Sequence, residues 1–94
     1  MTESLDERSR VTISPSVYAR VFGEEVVLLE FGKGEYFGLD AIGAEVWRRL
    51  EAGDPLGSVA DRIVAEYEVR REEALRDIVD LVTQLRSHDL VTIA

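Results

Sequence analysis

Residues 26–40 read VVLLEFGKGEYFGLD and contain the clearest strand of the sequence. The segment Val26–Phe31 is apolar except for one glutamate and rich in β-branched residues, which is typical of a strand. Gly32–Gly34 supplies the conformational freedom that a tight turn needs, and Glu35–Leu39 returns as a second arm. The stretch therefore predicts a β-hairpin with a three-residue loop.

The glycines of this hairpin also raise the alternative of a phosphate-binding loop, which their spacing excludes. A Walker A loop places Ser or Thr directly after Gly-Lys, whereas Lys33 is followed by Gly34. The dinucleotide-binding pattern G-x-G-x-x-G fails as well, because Gly38 comes one residue too late after Gly34. We therefore expect the glycines to form a turn and to carry no chemistry.

The residues before the hairpin predict a polar tail and one or two short strands. Residues 1–10 are polar and charged, so we expect a disordered N-terminal tail, with a single domain over residues 11–94. Val11–Ile13 alternates with polar residues and predicts a short strand that Pro15 ends. The segment Val17–Phe22 fits either a strand or an irregular crossing.

The residues after the hairpin predict three helices. Asp40 is a good N-cap for a helix over 41–52, and Gly53 ends that helix. A second helix is expected after Gly57, with Ser58 as its N-cap, up to about Tyr67. The longest helix is expected over about 71–87, and the closing residues predict a possible short C-terminal strand. The fold class is thus α+β and winged-helix-like, with a three-stranded antiparallel sheet followed by a three-helix bundle.

Composition narrows the classes of function. The chain has 94 residues, a net charge of −8 and no cysteine, which excludes disulfides, thiolate metal sites and cysteine nucleophiles. His88 is the single histidine and is expected to be a solvated residue at a helix end. We therefore expect no catalytic residues, no metal and no cofactor, and a cytoplasmic protein without a membrane span.

The last predicted helix carries two adjacent apolar stripes. The first is expected to face the core and comprises Ala74, Ile78, Leu81 and Leu85. The second comprises Leu75, Val79 and Val82. Two stripes make the apolar face wider than one packing partner requires, so the second stripe is either buried as well or lines a groove beside the edge strand.

Residues 26–53, VVLLEFGKGEYFGLDAIGAEVWRRLEAG, resemble the hallmark of the PqqD-like family. In that family a strand, a glycine-containing turn, an aromatic arm and a helix with a Gly-Ala and Trp pattern follow in this order. The later SVADRIVAEYEV and REEALRDIVDLVTQLRSHDLV are similar to the family's closing helices and terminal segment. The likeness covers about residues 11–93.

The resemblance implies a winged-helix-like recognition element for ribosomally made, post-translationally modified peptides, of the pyrroloquinoline quinone or lasso-peptide type. Such a domain is non-catalytic. It binds the leader region of a precursor peptide as an added strand and presents it to a radical SAM protein, a leader peptidase or another modifying enzyme. Because an exposed strand edge can also pair with itself, we expect either a monomer or a homodimer. The peptide-binding residues that it implies here are Glu35, Tyr36, Phe37, Gly38, Leu39, Leu75, Arg76, Val79 and Val82. Arg71, Arg76 and Arg86 are candidates to meet acidic leader residues, while Ile42 and Trp47 are expected in the core.

Two other classes of function stay open at this point. A winged-helix nucleic-acid-binding protein would need a basic face, whereas residues 54–69 hold four acidic residues and one arginine. A purely structural scaffold subunit would tether two enzymes through the sheet.

Overall fold

A three-stranded antiparallel sheet stands beside three helices, and a separate strand pair joins the two ends of the domain. The computed structural model describes residues 5–94. In chain order the elements are β1 (Val11–Ile13), β2 (Val17–Phe22), β3 (Glu25–Glu30), β4 (Glu35–Leu39), α1 (Ala41–Glu51), α2 (Leu56–Glu66), α3 (Arg71–Ser87) and β5 (Val91–Ile93). The order in the larger sheet is β2-β3-β4, and β1 pairs with β5. The predicted fold class, including the C-terminal strand, is confirmed.

The hairpin between β3 and β4 has a longer loop than expected. Glu30 pairs with Glu35, so the loop comprises residues 31–34 rather than three residues. Gly34 adopts a positive φ of 70°, and its N–H donates to the carbonyl of Glu30 at 2.9 Å. The Glu30 carboxylate, which is buried, accepts from the N–H groups of Gly32 and Lys33 at 2.7 and 2.9 Å and from the Ser16 hydroxyl at 2.7 Å. Its side chain therefore holds the loop that the glycines make possible.

These hydrogen bonds make part of the stability depend on pH. The Ser16 hydroxyl and the Gly32 N–H favour the ionised form and hold the pKa of Glu30 below its usual range. Because the folded pKa lies below the unfolded value of about 4.3, the stabilisation is complete above that value and is lost as the pH falls through the folded pKa. We expect Glu30→Gln to lower the free energy of unfolding at pH 7 and to narrow its gap to the wild type between about pH 5 and pH 2. Urea unfolding of both proteins across this range measures the gap, and a gap independent of pH would contradict the prediction.

The helix α2 begins three residues earlier than the sequence indicates. Ser58 is not its N-cap; Pro55 is, and Pro55 provides no side-chain hydrogen bond. The free N–H groups of Leu56 and Gly57 instead donate to the carbonyls of Ser9 and Glu7, both at 2.9 Å. The N-terminal segment thus replaces a capping side chain with its own backbone.

Residues 5–10 therefore differ from the disordered tail that the composition suggests; residues 1–4 lie outside the described part of the chain. Arg71, at the start of α3, donates to the carboxylates of Glu7 at 2.5 Å and Asp61 at 2.7 Å. Leu5 packs against the core. The sequence gives little indication that Glu7 is paired, because its partner Arg71 lies more than 50 positions away.

The core lies between the inner face of the sheet and the three helices. Val26 and Leu28 of β3 point inward. Trp47 of α1, which the sequence predicts in the core, is only 2% exposed. The side chains most completely removed from water are Trp47, Leu28, Leu50, Leu56, Leu85, Leu90, Val59, Val82 and Val91. Within residues 5–94, no helix is long and apolar enough to cross a membrane.

Candidate functional site

The strand β4 leaves one edge of the larger sheet open. On the far side of the sheet, the N–H of Phe31 donates to the carbonyl of Ser16, which immediately precedes β2, at 3.1 Å. Since hydrogen-bonding direction alternates along an antiparallel strand, the odd-numbered residues of β3 bond to β2 and the even-numbered ones to β4. Leu28 is paired with Phe37, so Phe37 bonds inward to β3. The backbone groups of Tyr36 and Gly38 therefore point to the open edge, where no described strand pairs with them.

An apolar cleft of about 510 Å³ lies beside this edge. Its walls are β4 and α3, and the first turns of α1 contribute to its floor. The lining residues are Phe37, Gly38, Leu39, Asp40, Ile42, Gly43, Val46, Ile63, Val69, Ala74, Asp77, Ile78, Leu81 and Gln84. An extended peptide on the edge of β4 would direct alternate side chains into this cleft.

The cleft face of α3 follows the helical repeat. Ala74, Asp77, Leu81 and Gln84 are spaced by three or four residues and share one face of the helix. Leu81, which the sequence assigns to the core stripe, is only half-buried and lines the cleft. The open side of α3 is therefore the flank of the core stripe that carries Asp77 and Leu81.

The α3 residues predicted for a groove do not line this cleft. Val82 is fully buried in the core, and Leu75 and Val79 are half-buried and pack against that core. Arg76 is exposed on another face of α3. Leu75 and Val79 lie on the opposite flank of the buried stripe, because each successive residue turns 100° around the helix. Periodicity identifies the two flanks but does not show which one faces β4.

The structure brings together three of the five residues predicted on β4. Phe37, Gly38 and Leu39 line the cleft, and Leu39 forms part of the floor at 5% exposure. Tyr36 is 77% exposed and points to the outer face of the sheet. Glu35 lies at the loop end of the strand. The sequence left open which aromatic faces the groove, and the structure places Phe37 there.

His88 is an exposed residue at the C-terminal end of α3, as the sequence predicts, and it contacts a residue that lines the cleft. The ring of His88 meets the ring of Phe37 edge-on, with centroids 5.5 Å apart. Its Nδ1 lies 3.7 Å from the Glu35 carboxylate. Ile42 was expected in the core, but it is 44% exposed and lines the cleft. Ile42 is two residues after the N-cap Asp40, and the sequence pattern at that position does not distinguish a core residue from a cleft residue.

The chemical groups of the cleft suit binding. Asp40 and Asp77 are the charged residues among its lining, and Asp40 accepts from the N–H of Gly43 at 2.8 Å as the cap of α1. Across residues 5–94 no group of three or more His, Asp or Glu side chains is arranged to hold a metal ion. Free backbone donors and acceptors beside apolar walls are the features by which an exposed sheet edge recognises an extended peptide.

Comparison with known proteins assigns the chain to a family. The sequence profile of Coenzyme PQQ synthesis protein D (PqqD) matches residues 25–91, which extend from β3 to the first residue of β5. The chain belongs to the PqqD family. The segment that matches PqqD contains β4 and α3, which form the two walls of the cleft.

Two solved structures share this PqqD fold. One is TbiB1 in complex with the TbiA(beta) leader peptide, with 40% sequence identity, a TM-score of 0.80, and coverage of 84% of this chain and 92% of the other. The second is a lasso peptide synthetase B1 complexed with the leader peptide, with 32% identity, a TM-score of 0.82, and coverage of 88% and 98%. No curated protein sequence matches the chain with statistical significance.

Proposed function

We propose that this chain is a recognition element that binds the leader region of a ribosomally synthesised precursor peptide. The leader adds as a strand to the open edge of β4, directs alternate side chains into the cleft and rests against α3. The domain then presents the rest of the precursor to a partner enzyme, such as a radical SAM protein or a leader peptidase.

One observation carries this proposal: the free backbone groups of Tyr36 and Gly38 lie directly beside an apolar cleft of the size that a few side chains fill. It is supported by the two solved relatives at 40% and 32% identity, each a complex with a leader peptide. On this arrangement the peptide-contacting residues are Phe37, Gly38, Leu39, Asp77 and Leu81.

The role that we propose is non-catalytic. We also propose that the protein acts in the cytoplasm, where precursor peptides are synthesised. The chemistry of modification would belong to the partner, because the cleft provides binding surfaces and two aspartates, one of which caps a helix. A chain with an open strand edge can act as a monomer or as a homodimer.

Titration of the ¹⁵N-labelled protein with the leader half of a precursor encoded near its gene tests the proposal. We expect chemical-shift changes at Glu35–Leu39 and at the α3 positions that line the cleft, and little change in β1 and β5. No shift change with any neighbouring precursor, even at millimolar peptide, would sink the proposal. Changes confined to the outer sheet face would favour the scaffold alternative instead.

A pair of substitutions at Gly38 tests the strand-addition step itself. Gly38→Pro removes the N–H that points to the open edge, and edge strands tolerate proline. We expect about a fivefold loss of leader affinity, since one net backbone hydrogen bond contributes about 1 kcal/mol. Gly38→Ala is the matched control, because a Cβ at this position meets no atom within 4 Å. Isothermal titration calorimetry measures both variants; unchanged affinity in a folded Gly38→Pro protein would show that the peptide does not use this edge.

A further inference from the structure

We infer that the cleft selects peptide segments that carry a lysine or arginine, and that Asp77 is the residue responsible for this selection. This inference rests on the proposed function, because it specifies the chemistry of the peptide that the same site takes. It concerns a single wall position of the cleft and leaves the strand-addition step unchanged.

The charged side chains that line the cleft are all negative. Its two charged lining residues, Asp40 and Asp77, are both acidic, and the lining contains no lysine or arginine. Asp40 already accepts the N–H of Gly43. Asp77 is exposed on the cleft face of α3. An acidic peptide side chain at this position would meet like charge, whereas a basic one would meet its complement.

Two basic residues outside the cleft lining are held by carboxylates. Arg71 donates to both Glu7 and Asp61, and Lys33 pairs with Asp89. Arg76 is exposed but is not part of the cleft lining. This differs from the sequence-based expectation that Arg71 and Arg76 meet acidic leader residues.

The surroundings of Asp77 suit the shape of a basic side chain. Ala74 and Leu81 lie beside it on α3, three residues before it and four after it, and both line the cleft. A lysine or arginine that enters from a strand on β4 can lay its aliphatic stem on these apolar groups while its charged head reaches the carboxylate. The net charge of −8 adds a longer-range attraction for basic segments at low salt.

A display library of random 12-residue peptides, selected separately on three proteins, tests this inference without knowledge of the natural leader. The proteins are the wild type, Asp77→Lys and the control Glu72→Lys. Glu72 is exposed in the first turn of α3 and does not line the cleft, so its substitution makes the same change of charge away from the site. We expect Lys or Arg to be enriched at one position in the wild-type and control selections, and Asp or Glu at that position with Asp77→Lys.

Two selected peptides that differ only by Lys or Glu at the enriched position then provide the affinities. Fluorescence anisotropy should show a preference of the wild type for the Lys peptide by roughly fivefold to tenfold, decreasing with added salt, and a reversed preference for Asp77→Lys. This inference would be overturned if the wild type enriched peptides without a preference for Lys or Arg, or if Asp77→Lys kept the same preference. Either result would leave the proposed function standing. Failure of all three proteins to enrich any peptide would overturn the proposed function as well.

Discussion

Replacement of Leu81 with glutamate is expected to lower leader-peptide affinity at least about 100-fold while the domain stays folded. Leu81 is half-buried at the centre of the cleft face of α3 and lies between Asp77 and Gln84. In the free protein a glutamate there can reach water through the open cleft. In the complex the peptide would bury the carboxylate against apolar walls with no basic residue of this chain among the lining.

The control for this prediction is Thr83→Glu. Thr83 is exposed, lies on the same helix two residues further on and is absent from the cleft lining, so its substitution adds the same charge at a different face. Calorimetric titration with the leader should give near-wild-type affinity for the control, and circular dichroism verifies the fold of both variants. Equal affinities of folded Leu81→Glu and Thr83→Glu would place the peptide elsewhere.

Among the substitutions discussed, Trp47→Ala is expected to lower the free energy of unfolding most, by about 3–5 kcal/mol. The indole of Trp47 is 2% exposed and is the largest side chain in the core. Its removal leaves a cavity that the surrounding side chains close only in part. Since small domains have unfolding free energies of about 5–15 kcal/mol, a substantial unfolded fraction at 37 °C is expected, and urea unfolding at 25 °C measures the difference.

Trp47→Phe separates packing from hydrogen bonding at the same position. The Nε1–H of Trp47 is buried and has no hydrogen-bond partner in the described structure. Phenylalanine keeps an aromatic ring and removes this unsatisfied donor, whose burial carries a cost of about 1–3 kcal/mol. We therefore expect a loss well below that of Trp47→Ala, at most about 1.5 kcal/mol. Equal losses in the two variants would indicate that the N–H has a partner in solution.

The strongest sequence signals were those that local chemistry determines. The β-branched run before Gly32–Gly34, the aspartate cap at position 40 and the long repeat of α3 predicted the hairpin and the helices. The start of α2 could not be found in this way, because its N–H groups are satisfied by carbonyls of Glu7 and Ser9 that lie far away in sequence. Capping preferences describe side chains close in sequence and do not report a distant backbone segment.

The site was only partly predictable for a similar reason. The open edge at Glu35–Leu39 was predicted from the hairpin, which is a local feature. The cleft face of α3 depends on the rotation of the helix against the sheet and against α2, which tertiary packing sets. Leu81 and Val82 are adjacent apolar residues with opposite roles, one on the cleft and one in the core, and no periodic pattern distinguishes them.

A dimer formed through the open edge of β4 would link peptide binding to protein concentration. The backbone groups of Tyr36 and Gly38 are the ones that a leader would use, and they are equally available to the same strand of a second copy. Occupation by one excludes the other, so a dimer formed through this edge would be a competitive inhibitor of peptide capture. The apparent affinity for the leader would then fall as the protein concentration rises, and excess leader would dissociate the dimer into monomers.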